Sequence, residues 1–185
     1  VIQSNCKIGP NVVIGSNSLI YSNSNLQNCI IGSNCIIKSN AVIGGAGFGF
    51  DPQSKIPINH IGNVLIGDNC NIGSNTTIDR AVFDSTIISK NSFIDNLVQI
   101  AHNVYIGKEA IIAAQVGIAG STLIGDNVVI GGQAGISGHL SIGKNVKIAA
   151  KSGVTKNIAD NSTVAGFPAV DIKKWKLSNI KLNKL

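Results

Sequence analysis

From Ile88 to Val154 an aliphatic residue recurs at every sixth position: Ile88, Ile94, Ile100, Ile106, Ile112, Ile118, Ile124, Ile130, Ile136, Ile142, Ile148 and Val154. Six residues are too few for a helical hairpin or a propeller blade, the units of longer-period repeat proteins. They suit one short strand and a turn, and three such units close a triangular coil of eighteen residues. The N-terminal part keeps the rhythm through Ile2, Ile8, Ile14, Ile20 and Leu26, then slips by one residue to Ile31, Ile37 and Ile43. The unit reads aliphatic-Gly-x-Asn-small-x, as in IGSNCI and IGDNVV. Stacked coils would pair strands at about 4.8 Å, with the hexad aliphatic and the small residue two before it pointing inward. The Gly-x-Asn segment would turn the corner, since Gly and Asn tolerate positive φ. Composition agrees: hydrophobic residues make up 44% of the chain and aromatics 4%, so the core must be narrow and aliphatic. The expected fold is all-β, a parallel solenoid.

The rhythm breaks twice. Between Ile43 and Val64 lies GGAGFGFDPQSKIPINHIGN, an expected loop excursion over residues 44–63. Phe48 and Phe50 stand out there in an aromatic-poor chain, and they either line an apolar substrate site or pin the loop to the coil. The second break, Ile78 to Ile88, has ten residues where two hexads need twelve, and holds Asp79, Arg80 and Asp84. After Val154 the pattern fades, and AGFPA at residues 165–169 is expected to end the coil. That gives a solenoid over 1–168 and a basic helical extension over 169–185. The helix is expected from Asp171 to Leu185 with Ile172, Trp175, Ile180 and Leu182 buried, either capping the exposed strand edges or forming a trimer contact.

Cys6, Cys35 and Cys70 each lie four residues after a hexad aliphatic, in a slot that elsewhere holds Ser, Thr, Ala or Val. With no CxxC pair, they read as small, reduced core residues. The net charge is +6, with lysines gathered in KKWKLSNIKLNKL, which is either a solvated tail or an attractor of acidic partners. The repeats lack the basic and aromatic platform that single-stranded nucleic acid needs, so no nucleic-acid partner is expected. No apolar run spans a bilayer, which fits a cytoplasmic location with at most peripheral membrane contact. The chain has no methionine and opens inside a hexad, which reads as an incomplete N-terminus.

Three histidines are present: His60, His102 and His139. Gly120 is eighteen residues after His102 and should lie one coil above it; Gly138 follows one coil further on, with His139 beside it. Both His102 and His139 fall in corner segments, facing solvent or a neighbouring subunit. An imidazole beneath a bare glycine amide suits acyl transfer, the ring taking a proton and the amide holding an oxyanion. The same spacing fits incidental surface histidines.

The segments GGAGFGF, TTIDRA, FIDNLVQIAHNV, GIAGS and SGHLSIG resemble the bacterial UDP-3-O-acylglucosamine N-acyltransferases of lipid A biosynthesis, over about residues 1–168. The resemblance implies a left-handed parallel β-helix, a hand that the period does not give and that the general crossover preference would oppose. It implies transfer of a 3-hydroxyacyl chain from acyl carrier protein to the 2-amine of UDP-3-O-acyl-glucosamine. It further implies active sites between the subunits of a homotrimer and no metal or dissociable cofactor. By the same resemblance His102 is the catalytic base, Asp95 orients its imidazole, Gly120 supplies the oxyanion hole and His139 assists. His60 receives no role. Members of the family carry a globular domain before the coil that contributes the uridine site, and the basic C-terminal helix fits an acidic carrier protein. Other readings are a hexapeptide acyltransferase acting on a sugar-nucleotide hydroxyl or using acetyl-coenzyme A, and a structural solenoid with unbroken coils. A zinc hydratase on this fold needs two histidines about five residues apart, whereas here the separations are 42 and 37.

Overall fold

A computed structural model describes residues 1–182; the expected end of the C-terminal helix at Leu185 lies outside the described residues. Among these, short strands stack into three sheets of eight, seven and nine strands, parallel except at the C-terminal end, and form a β-solenoid. On the first face Ile100 pairs with Ile118, Ile118 with Ile136 and Ile136 with Val154, so each step is eighteen residues. The second face carries Ile88, Ile106, Ile124 and Ile142 in the same way, and the third Ile94, Ile112, Ile130 and Ile148.

From Ile20 to Ile148 the inward aliphatics are at most 3% exposed. The small slot two residues earlier is buried too, and most of its hydroxyls bond to the neighbouring coil, Ser152 Oγ being a buried exception. Ser18 Oγ donates to Gly32 O at 2.8 Å and Thr76 Oγ1 to Asp95 O at 2.7 Å, as buried hydroxyls require. Cys29, Cys35 and Cys70 are buried free thiols and Cys6 is half-buried. Burial pushes the Cys29 thiol up to about 11.

The corners divide the labour differently from the expected scheme. Asn5, Asn11, Asn17, Asn23, Asn34 and Asn40 carry the left-handed dihedrals, with φ of 56–65°. The glycines after the inward aliphatics do not, Gly44 at the start of the excursion excepted; the other glycine with positive φ is Gly166. Those glycines are needed for contact. A Cβ on Gly107 would lie 2.5 Å from the carbonyl carbon of Gly125 in the next coil. Later coils place Leu97, Glu109, Gln115 and His139 in the left-handed slot, at roughly 1–2 kcal/mol each.

Every departure from the six-residue step falls on one edge, between the first and second faces. The slip from Leu26 to Ile31 crosses that edge, since Leu26 pairs with Ile43 on the first face and Ile31 with Ile66 on the second. The excursion leaves after strand Val42–Ala46 and returns at strand Asn63–Ile66. The second break is not a shortened pair of hexads. Ile78 pairs with Ile100 on the first face and Ile88 with Ile106 on the second, so a single step has grown from six residues to ten.

The C-terminal end is closed by strand Val170–Asp171, which pairs antiparallel with Thr163–Ala165. Asp171 Oδ1 then accepts from Lys173 N at 2.9 Å, capping the helix Ile172–Leu182. The helix was expected to bury Ile172, Trp175, Ile180 and Leu182, and none of its residues is buried. Its packing is confined to its start: Ile172 is half-buried, and the Trp175 ring lies against Gly166. Beyond that turn Leu177, Ile180 and Leu182 are exposed.

Candidate active site

The edge that collects the irregularities also carries His102, Gly120 and His139, so the excursion and the expanded step are built around the histidine stack. His102 follows Ile100 at the corner, and Gly120 lies directly above it. A Cβ on Gly120 would sit 2.8 Å from both Cε1 and Nε2 of the His102 ring. The ring therefore occupies the space that any other residue at 120 would fill.

Its tautomer follows from the next residue. Asn103 Nδ2 donates to Phe83 O at 3.1 Å, and Asn103 Oδ1 accepts from Val82 N at 3.0 Å. That oxygen lies 3.1 Å from His102 Nδ1. An amide oxygen only accepts, so Nδ1 carries the hydrogen and the lone pair sits on Nε2, on the Gly120 side. Asn103 itself is fixed by its left-handed corner (φ 60°) and by its N–H donating to Thr86 Oγ1 at 2.9 Å. The expanded step supplies both Val82 and Phe83, which explains its presence at this edge.

The Gly120 amide is free for a related reason. At several positions on the other edges the equivalent N–H is capped by a side chain one coil on, as Lys108 N is by Asp126 Oδ1 (2.9 Å) and Lys144 N by Asp160 Oδ1 (2.8 Å). One coil above Gly120 the position is Gly138, which has no side chain to offer. Among the described residues the Gly120 N–H has no hydrogen-bond acceptor.

The other expected residues are distributed less simply. Asp95 is not beside His102 within the chain. It follows Ile94 on the third face, one corner earlier, and its Oδ1 accepts from its neighbour Asn96 N at 2.8 Å. Seven residues are one hexad plus one, which places Asp95 and His102 at neighbouring edges of the prism. In this chain the orienting acceptor is Asn103, and the carboxylate near the imidazole is Asp79. Asp79 lies on the coil below, where its Oδ2 accepts from Gln99 Nε2 at 2.8 Å. Burial holds its carboxyl above the usual carboxylate range, opposed by that hydrogen bond and by the nearness of His102 and His60. His139 shares the edge two coils above His102, with its side chain exposed and its N–H donating to Gly120 O at 3.0 Å.

Because its folded value is raised, Asp79 binds a proton more readily in the folded than in the unfolded chain. Its charge then lowers stability as pH rises, from the unfolded value of about 3.9 to beyond the folded one. Asp79→Asn is therefore expected to raise the melting temperature at pH 7, with the gain absent near pH 3. Calorimetry at the two pH values checks this.

Above His102 the outward slot of the first face changes from Thr77 and Gln99 to Gly117, Gly135 and Gly153. Added Cβ atoms at Gly117 and Gly135 would meet nothing within 4 Å. The result is a trough of about 720 Å³ that begins at Phe48 and Asp79 and ends where the Phe167 ring lies on Gly153. Phe48 is 83% exposed and lines the trough mouth. Phe50 does not line it; its ring meets Phe48 edge-on at 5.0 Å and lies 5.5 Å from Lys55 Nζ, so it pins the excursion.

His60, left without a role by the sequence, is 1% exposed and packs edge-to-face on His102 with ring centroids 5.2 Å apart. Counting hexads across the excursion would have brought its ends to the His102 edge, but the fold of the loop itself has no period to count. Among the described residues no three His, Cys, Asp or Glu side chains are grouped as metal ligands.

Residues 11–45, 85–120 and 121–156 match the bacterial transferase hexapeptide (six repeats) family, and residues 63–96 match the hexapeptide repeat of succinyl-transferase. A UDP-3-O-acylglucosamine N-acyltransferase of Caulobacter vibrioides is 43% identical over 145 residues, covering 77% of this chain and 43% of that protein. One of Porphyromonas gingivalis is 45% identical over 69 residues, 35% of this chain and 19% of its own. The chain thus spans less than half the length of these relatives. Among solved structures, a UDP-N-acetylglucosamine acyltransferase from Campylobacter jejuni superposes with a TM-score of 0.77 at 25% identity, over 92% of this chain and 71% of that one. The UDP-N-acetylglucosamine O-acyltransferase of Moraxella catarrhalis gives 0.67 at 27%, over 96% and 72%.

Proposed function

This chain belongs to the bacterial hexapeptide transferase family, and we propose that its His102 edge is an N-acyltransferase site. The site moves a 3-hydroxyacyl chain from acyl carrier protein to the 2-amine of UDP-3-O-acyl-glucosamine. The observation that carries the reading is the bare Nε2 of His102 set against the uncapped amide of Gly120. Nε2 takes a proton from the amine as its nitrogen attacks the thioester carbonyl. The Gly120 N–H receives the oxyanion, and the phosphopantetheine thiolate leaves as the carbonyl re-forms. The step as drawn uses the donor thioester and no further cofactor.

The trough above His102 fits the acyl chain, because its floor of Gly117, Gly135 and Gly153 offers width, with Gln133 and Lys151 among the polar side chains beside it. Each methylene buried there contributes about 0.8 kcal/mol, and Phe167 sets the far limit. The names of the Caulobacter and Porphyromonas relatives support the N-acyl reading. Exposed apolar residues on the other faces, Tyr105 and Leu123 on the second and Phe93 and Ile111 on the third, support a homotrimer. The lysines of the C-terminal helix support docking of an acidic carrier protein. Among the described residues no helix is long and apolar enough to cross a membrane, which accords with a cytoplasmic location.

A second reading, O-acylation of UDP-N-acetylglucosamine, draws on the Moraxella neighbour. One experiment separates the two. The protein is given 3-hydroxyacyl-carrier protein or the matching coenzyme A ester, with UDP-3-O-acyl-glucosamine or UDP-N-acetylglucosamine as acceptor. Mass spectrometry is expected to find the amide product, formed from the carrier-protein thioester. An ester on UDP-N-acetylglucosamine would establish the second reading. Transfer from coenzyme A alone would remove the carrier protein from the scheme.

A further inference from the structure

The excursion buries one polar atom without a partner, and it lies next to the proposed base. His60 Nδ1 is 2.9 Å from Ile58 O. A carbonyl oxygen only accepts, so Nδ1 carries the ring hydrogen and Nε2 is left as a bare acceptor. Nε2 is buried and has no hydrogen-bond partner among the described residues. Leaving an acceptor buried and unpaired costs folding free energy that an apolar side chain would not.

The position of that lone pair is well defined. A single Cβ added at Gly47 would lie 3.0 Å from His60 Nε2, 3.0 Å from His102 Cβ and 3.1 Å from His102 Cδ2. One at Gly49 would lie 2.9 Å from His60 Cε1. The glycine-rich GGAGFGF stretch is thus moulded over both imidazoles, and the acceptor edge of His60 and the Cβ–Cδ2 side of His102 both face Gly47. His102 must become an imidazolium when it takes the proton, and the positive charge then spreads over its ring carbons as well as its nitrogens. A lone pair held on that side of the site places partial negative charge near the developing positive one.

We propose that His60 is a positioning residue of the acyl-transfer site. Locked by Ile58 O as the Nδ1–H tautomer, it holds the His102 ring edge-to-face and stabilises its imidazolium through the unpaired Nε2. The catalytic side of this proposal rests on His102 being the base; the effect on His102 protonation does not. The ionisable groups on the elements around His102 are Asp79, Arg80 and Asp84 on the coil below and its expansion, Asp51, Lys55 and His60 in the excursion, and His139 two coils above. Asp79 supplies a full charge to the same ring, and His60 adds a neutral dipole from the excursion on the same edge.

The test compares His60→Phe, which keeps an aromatic ring without a lone pair, with His60→Gln. The glutamine amide can donate to Ile58 O and present its oxygen where Nε2 was. Imidazole nitrogen NMR of the whole chain follows His102 through a pH titration, and melting curves verify the fold. In His60→Phe the midpoint of His102 protonation is expected to fall by roughly half a pH unit, about threefold in proton affinity, and in His60→Gln to stay near that of the unsubstituted protein. In the acyl-transfer assay kcat should fall severalfold in His60→Phe with KM little changed, and recover in His60→Gln. An unmoved His102 midpoint in a folded His60→Phe protein overturns the proposal. The unsubstituted protein gives a test that needs no variant: His60 should show a protonated Nδ1 and a bare Nε2 throughout the His102 titration. A His60 that gains its second proton together with His102 overturns it as well. Should His102 respond as expected while acyl transfer is insensitive to His102, the electrostatic coupling stands and the catalytic reading fails.

Discussion

His102→Ala is expected to lower turnover by about 10²–10⁴-fold, the usual contribution of a positioned general base. The fold should tolerate the change, because the ring lies at a corner outside the aliphatic core and its backbone is held by main-chain bonds, Ser121 N to His102 O at 3.0 Å among them. KM for both substrates should change little, since the ring acts on the reacting proton and not on the acyl trough. Circular dichroism and melting curves close to those of the unsubstituted protein, beside a steady-state assay, check both halves. Near-normal kcat in a folded His102→Ala protein would remove the general base from the mechanism and leave the Gly120 amide and substrate alignment to account for all of the rate.

The sequence made most of the scaffold legible because its physics is periodic. Each inward isoleucine answers to the same packing requirement, so one count predicts the register Ile100 to Ile118 to Ile136 and places Gly120 over His102. The count also held the means to place the irregularities. Ile78 and Ile88 are neighbours across one edge, and reading their interval as two short hexads hid the expansion that brings Val82 and Phe83 to Asn103. Asp95 shows a different limit. Its role came from resemblance, while its place one corner before His102 follows from the six-residue step and puts the two at neighbouring edges. His60 was illegible for a third reason, since a loop without a repeat folds by contacts that no spacing encodes. The helix misled because Ile172, Trp175, Ile180 and Leu182 are apolar at helical intervals, yet the chain offers nothing beyond its first turn for them to cover.

The second large effect is expected from one methyl group. Gly120→Ala places a Cβ 2.8 Å from Cε1 and Nε2 of His102, closer than carbon and nitrogen can approach. Gly120 does not have the left-handed φ that would strain an alanine, so the backbone has no reason to move. The imidazole is the part able to yield, and it can do so only by turning away from the Gly120 amide. A misplacement of about 1 Å costs roughly 10²-fold in rate, so kcat should fall by about that factor while the melting temperature stays nearly constant. Gly117→Ala serves as the comparison: it adds the same methyl one hexad half-step away in the open trough, where nothing lies within 4 Å, and should leave the base untouched. The double substitution His102→Ala with Gly120→Ala carries the argument furthest. If the methyl acts by displacing the ring, it has nothing left to displace once the ring is gone, and the double variant should be about as slow as His102→Ala alone. Losses that instead multiply would mean that the methyl blocks the oxyanion or the acyl chain directly, and Gly120 would then be a residue of the trough more than a partner of the base.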